Sequence, residues 1–207
     1  MRPSMSFTER FNTTSFPNSL PAWRFGQDWL RHGRPSALLR HWLLDPRSLT
    51  DRMRTCCRGK FGVRLVSQGW AAPRRDETRA LALFGRERAL VREVQLLCRG
   101  EPWVFARTVI PVRTLSGSQR RLAHLGAKPL GAYLFADPTM QRGAVEVARI
   151  HQGTALYRSA ISGLVAEPAD LWARRSMFWL AGKPLLVCEI FLPAMAPCSN
   201  RTVNNKP

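Results

Sequence analysis

The sequence lacks long hydrophobic runs. No apolar stretch approaches the ~18 residues that a membrane-spanning helix needs, which excludes an integral helical membrane protein. Lysine is scarce: of 32 basic residues only Lys60, Lys128, Lys183 and Lys206 are lysines, and the rest are arginines. Acidic residues are scarce too, 14 in all, which leaves a net charge of +18. Cysteines number five, so a fully paired intrachain disulfide framework is excluded. There is no CxxC, and neither the cysteines nor the four histidines (His32, His41, His124, His151) show metal-ligand spacing. GxSxG, HExxH, GxxxxGK[ST] and a helix-opening GxGxxG are all missing. Gly59-Lys60 and Gly182-Lys183 lack the remainder of a phosphate loop. The N-terminus has no apolar stretch of the secretory kind, which points to the cytoplasm. Its Arg- and Ser-bearing, acid-poor character leaves a transit peptide open.

What is present is a globular composition, 45 % apolar and 22 % charged over 207 residues, enough for one domain with some chain to spare. The basic residues are scattered, with pairs such as Arg74-Arg75, Arg120-Arg121 and Arg174-Arg175 as the longest pure runs. A nucleic-acid-binding tail concentrates its charge in a block. A nucleic-acid partner is therefore not expected, although a positive surface speeds encounter with small anions. Cys98 and Cys188 lie in apolar runs, where a free cysteine behaves as a small hydrophobe, and this reads as a reducing compartment.

Residues 1–36, rich in Asn, Ser, Thr and Pro, read as a poorly ordered basic extension, 37–197 as the domain and 198–207 as a polar tail. Leu38, Leu39, Trp42 and Leu43 have helical spacing that ends before Pro46, and a second helix follows with Ser48 or Thr50 as cap. Residues 61–66 alternate as a strand. Residues 91–98 and 102–112, joined at Arg99-Gly100, form a hairpin. Helices are expected over 116–126 and 130–135, a strand over 144–150, and a hairpin from strands 176–180 and 185–192. Hairpins with helices between them define an α+β fold with an antiparallel sheet.

Two ionic residues sit in apolar strands. Glu189 shares a face with Val187 and Phe191. A carboxylate in such company is costly unless paired, so a structural ion pair and a functional acid both remain open. Arg92 shares a face with Val94, Leu96 and Cys98. With a two-residue turn and no irregularity it faces Arg107, and an anion between the two guanidiniums would relieve their repulsion. A register shift of one residue would instead pair Arg107 with Glu93.

Several strings in order resemble the chorismate pyruvate-lyase family. They are Arg92-Glu93, Gly100-Glu101-Pro102-Trp103, Arg107-Thr108-Val109-Ile110-Pro111-Val112 and Leu115-Ser116-Gly117. Pro129-Leu130-Gly131, Leu171-Trp172-Ala173-Arg174-Arg175-Ser176 and Gly182-Lys183-Pro184-Leu185-Leu186 with Glu189 follow. Trp42-Leu43-Leu44 and Ser48-Leu49-Thr50 match the family's start, so the likeness runs over roughly 40–195.

The resemblance implies a cofactor-free lyase that turns chorismate into 4-hydroxybenzoate and pyruvate for ubiquinone synthesis. It also implies a sheet of about six antiparallel strands with helical flaps over an internal site. By position, Arg92 looks like the arginine that takes the ligand carboxylate, and Glu189 like the partner of the ring 4-oxygen. Leu49 and Leu130 look like the positions whose backbone groups contact the ligand from the flaps. The expected partners are chorismate and 4-hydroxybenzoate, met by a monomer in the cytoplasm without membrane insertion. Residues 150–169 depart from the family pattern, and helical spacing there predicts an added surface helix. The alternative is a non-catalytic domain of the same fold that senses a small aromatic acid. The forty residues before the domain lack the two amphipathic helices of a DNA-binding partner, which argues against it.

Overall fold

A computed structural model describes residues 20–25, 28, 33–85, 87–165 and 167–195. Most of the extension expected over 1–36 and all of the tail over 198–207 lie outside the described residues. The strands are β1 (Arg24–Phe25), β2 (Phe61–Ala71), β3 (Ala89–Cys98), β4 (Glu101–Pro111), β5 (Gln141–Arg142), β6 (Glu146–His151), β7 (Asp170–Leu180) and β8 (Lys183–Phe191). They form one antiparallel sheet in the order β1-β6-β7-β8-β4-β3-β2, with β5 also on β7. Six strands are long; β1 and β5 have two residues each. The helices are α1 (Ala37–Leu43), α2 (Leu49–Cys57), α3 (Arg75–Ala80), α4 (Leu130–Ala136) and α5 (Ala155–Ile161).

Local chemistry sets the boundaries. Ser36 caps α1 by accepting from the Leu39 amide at 3.2 Å, and Ser48 caps α2 by accepting from the Asp51 amide at 3.3 Å. Ser48, rather than Thr50, therefore starts the second helix. The hairpin turns Arg99-Gly100 and Ala181-Gly182 have positive φ at both residues, which matches the right-handed twist of the strands they join.

Helices cover both faces of the sheet, which is why β4 reads as an almost unbroken apolar run. On one face α1 and α2 place Trp42, Leu43, Leu49 and Met53 against Val94, Leu96, Val104 and Phe191. Beside them α4 and a 3₁₀ helix (Gly117–His124) pack Leu122, Leu130 and Leu134 against Leu90, Ile110 and Val187. The other face carries α3 and α5. Leu156, Tyr157 and Ala160 of α5 pack on Ile150, Leu171 and Ile190, so the helix within 150–169 forms part of the second layer rather than a surface addition.

Four expectations change. Within 116–126 the helix is 3₁₀ rather than α and covers Gly117–His124. β7 begins at Asp170 rather than Ser176. The β3–β4 ladder keeps the two-residue turn but slips between Leu96 and Leu97, which leaves Trp103 as the extra residue. Beyond that bulge Arg92 pairs with Thr108, and Glu93 with Arg107. Arg107 thus leaves the face of Arg92 and sits buried between Glu77 (2.6 and 3.0 Å) and Glu93 (2.8 Å). It is no longer a ligand candidate. Finally, Cys98 is not free: it is disulfide-bonded to Cys57, with the Cα atoms 5.3 Å apart. The compartment reading drawn from Cys98 as a free thiol loses that support. No helix among the described residues is long and apolar enough to cross a membrane.

Candidate active site

The register across four neighbouring strands builds the site. One row runs Arg92 (β3), Thr108 (β4), Val187 (β8) and Ser176 (β7). The next runs Val94, Ala106, Glu189 and Arg174. Because side chains alternate between faces, both rows point to the α2 and α4 side. Between that floor and the two helices lies a cavity of about 550 Å³, mouth included. Leu49, Arg92, Leu130 and Glu189 all border this cavity.

Leu49 and Leu130 are the first residues of α2 and α4. Amides in a first helical turn have no acceptor within their own helix. The two helices meet over the cavity. Gly131 lies so close to Thr50 that an added Cβ would stand 2.8 Å from Thr50 Oγ1 and 3.3 Å from its Cβ.

Arg92 is only 2 % exposed. It donates Nε and Nη2 to the Gly126 carbonyl (3.1 and 2.7 Å) and Nη2 to the Lys128 carbonyl (2.8 Å). Among the described residues no carboxylate lies within 4 Å of its guanidinium. Burial without a counter-charge pushes its pKa down to about 10. Its three hydrogen bonds fix the orientation of the group against the cavity wall.

Glu189 faces Arg174 across the β7–β8 ladder and accepts from its Nε at 2.5 Å through Oε2. Its Oε1 has no protein partner among the described residues. Arg174, 1 % exposed, also donates Nη1 to the carbonyls of Trp42 (2.8 Å) and Asp45 (2.7 Å). The ion-pair reading of Glu189 is therefore correct, and it coexists with a place on the cavity wall.

Three further arginines, all missed in the sequence, line the cavity: Arg47, Arg142 and Arg174. Arg47 is exposed at the edge and holds the Asp45 carboxylate through Nε (3.0 Å) and Nη2 (2.9 Å). Burial opposes the charge on Asp45, but Arg47 and Arg52 together keep its pKa well below the usual carboxylate range. Arg142 donates to Ser176 Oγ (3.2 Å) and to the Pro46 carbonyl (2.6 Å) and lies over the Phe178 ring. Arg174 had a signal: its strand continues an apolar alternation back to Leu171. Arg142 had none, since β5 is two residues long. No group of three or more His, Cys, Asp or Glu that could hold a metal ion occurs among the described residues.

The chain matches the family model described as chorismate lyase over residues 25–199. It is 47 % identical over 176 residues to a protein of Azoarcus sp. (strain BH72) named probable chorismate pyruvate-lyase, covering 82 % of this chain and 93 % of that one. A protein of the same name from Methylococcus capsulatus is 44 % identical over 154 residues, covering 74 % and 94 %. Among solved structures, the C-terminal domain of histidine utilization repressor from Pseudomonas syringae pv. tomato aligns with a TM-score of 0.51 at 11 % identity, over 71 % of this chain and 99 % of that one. A GntR-family transcriptional regulator from Bacillus cereus aligns with a TM-score of 0.50 at 11 % identity, over 70 % and 99 %. Those two likenesses concern the fold alone. The relatives, which match over nearly their whole length, carry the assignment: this chain belongs to the chorismate lyase family.

Proposed function

We infer that the protein is a chorismate pyruvate-lyase, releasing pyruvate from chorismate and leaving 4-hydroxybenzoate. The observation that carries this reading is Arg92, a buried guanidinium with no carboxylate within 4 Å among the described residues, bordering the same cavity as Glu189. Arginine grips a carboxylate through parallel hydrogen bonds, and the ring carboxylate of chorismate suits that fork. Glu189 Oε1 accepts from the hydroxyl at ring C4, para to that carboxylate. The first-turn amides of Leu49 and Leu130 contact the ligand from above.

In the reaction the bond between ring C3 and the ether oxygen breaks, and ring C4 loses its hydrogen. The ring becomes aromatic, which drives the step, and the departing enolpyruvyl group gains one hydrogen at its methylene to become pyruvate. Overall, chorismate divides into two products with no change in atoms or net redox state, so the chemistry calls for no external electron carrier. Two routes fit the site. In one, the C4 hydrogen passes directly to the enolpyruvyl methylene through a six-membered arrangement, and the protein supplies conformation and exclusion of water. In the other, the Glu189 carboxylate steadies charge or assists proton movement near C4.

The product, 4-hydroxybenzoate, would enter ubiquinone synthesis, in keeping with a cytoplasmic enzyme. The test is to mix purified protein with chorismate and measure both products. Equal amounts of pyruvate and 4-hydroxybenzoate, formed faster than in buffer, support the reading. Tight binding of 4-hydroxybenzoate with no pyruvate released would make the chain a non-catalytic aromatic-acid-binding domain instead.

A further inference from the structure

Chorismate carries two carboxylates, one on the ring and one on the enolpyruvyl group. The cavity offers four guanidiniums, and their pairing sorts them. Arg174 is neutralised by Glu189 at 2.5 Å. Arg47 is neutralised by Asp45 at 2.9 Å and is largely exposed. Arg92 and Arg142 remain, and neither has a carboxylate within 4 Å among the described residues. Burial disfavours the charge on both, with Arg174 adding to the cost at Arg142 and Glu189 and Asp45 opposing it, and a dianion placed between the two arginines gives each an opposite charge.

The register fixes how far apart they stand. Arg92 projects from β3, while Arg142 is tied to Ser176 on β7, in the same row three strand spacings away. Three spacings amount to about 14 Å between backbones, before the long side chains reach inward. Arg142 is held rigidly from two sides, by Ser176 Oγ on Nε and by the Pro46 carbonyl on Nη1. Its Nη2 has no protein partner among the described residues. The Phe178 ring, 5.3 Å from its guanidinium carbon, supports the planar group. Glu189, assigned above to the ring hydroxyl, lies between the two arginines in strand order.

We propose that Arg142 is the residue that binds the enolpyruvyl carboxylate, so that Arg92 and Arg142 clamp the two acids of the substrate from opposite sides. The proposal rests on the lyase reading and adds a specificity determinant to it. Arg92 serves substrate and product alike, because both retain the ring carboxylate. Arg142 serves the substrate alone. Once the C3–O bond has broken, its partner belongs to pyruvate, and the two products no longer share one clamp.

The decisive comparison uses ligands with and without the second acid. The probes are 4-hydroxybenzoate and 3-carboxymethoxy-4-hydroxybenzoate, an aromatic compound that carries a second carboxylate where chorismate does. Wild-type protein is expected to bind the diacid more tightly. In Arg142→Met that advantage disappears, the KM for chorismate rises by about 10- to 100-fold, as loss of a charged hydrogen-bonded contact implies, and 4-hydroxybenzoate affinity stays within about twofold. Arg142→Lys, which keeps the charge but not the planar fork, is expected to fall between the two. It also serves should the Met variant fail to fold. Equal weakening of both probes would show that Arg142 only braces the Pro46 loop, and no weakening of either would remove it from the site; each result overturns the proposal. Wild-type protein that releases no pyruvate from chorismate fails the lyase reading instead, and the two binding measurements stand apart from that outcome.

Discussion

Arg174 and Glu189 face each other on neighbouring strands, and one oxygen of the acid is committed to the arginine. This fixes the carboxylate in orientation and keeps its charge compensated while the other oxygen faces the cavity. In Glu189→Gln the hydrogen bond can persist, but Arg174 loses its counter-charge. Turnover is expected to fall by about 100-fold or more, the range in which a positioned acid or base contributes. The melting temperature should fall as well, since breaking a buried pair leaves the other charge uncompensated. Rates measured well below the melting temperature separate the two effects. Undiminished turnover would exclude an ionised carboxylate from the mechanism.

Arg92→Ala removes one of the four guanidiniums that border the cavity. We expect 4-hydroxybenzoate affinity to drop by about 10- to 100-fold, from the loss of a charged hydrogen bond. Titration calorimetry reads this directly. Unchanged affinity would take Arg92 out of the site.

Gly131→Ala inserts a methyl where 2.8 Å separates the Cβ position from Thr50 Oγ1. Such overpacking costs about 1–3 kcal/mol and falls on the contact that closes the roof. Dissociation of 4-hydroxybenzoate, followed by stopped flow, should become faster. Thr50→Ala in the same chain should restore part of the loss, because the two sites share one contact.

On the far face, burial opposes the charge on Glu77, but hydrogen bonds from Arg107 and the nearby Arg74 hold its pKa below the ordinary value of 4.5. A carboxyl with a depressed folded-state pKa contributes stability that is present above its unfolded pKa and lost as pH falls through the folded one. Denaturant melts should therefore lose stability as pH drops below about 4.5. In Glu77→Gln that part of the acid dependence should be absent, and the variant should be less stable at neutral pH. An identical pH profile in the variant would show that Glu77 carries none of it.

The disulfide between Cys57 and Cys98 closes a loop of 41 residues, so its reduction should lower stability by about 2–4 kcal/mol. Cys57→Ser and Cys98→Ser should each reproduce the loss, and the double variant should add little. Equal stability of the wild type with and without reductant would mean that the bond does not form in solution.

Much of this was legible because strand patterns and turn residues act locally. Arg99-Gly100 and Ala181-Gly182 announce their hairpins, and Glu189 stands out as an acid among apolar neighbours. The failures came from interactions between distant segments. The bulge at Leu96 and Leu97 leaves no local mark, yet it moves Arg107 to the opposite face. α3, Arg75–Ala80, has no apolar stripe to announce it. Its acids meet Arg107 and Arg175 only after the sheet has formed. Arg142 enters the cavity from a two-residue strand whose position β7 dictates. The Cys57–Cys98 pair belongs to no short spacing rule, since 41 residues separate its members.

The carbonyls that steady Arg92 belong to Gly126 and Lys128, in the segment that leads into α4. The other roof helix, α2, is covalently tied through Cys57 to the end of β3, the strand that carries Arg92. One roof element is thus bolted to the floor by the disulfide, and the segment leading into the other is held by Arg92. Both roof helices are therefore referred to the same strand, β3, one by a covalent bond and the other by three hydrogen bonds, so the height of the roof above the floor is set from a single element.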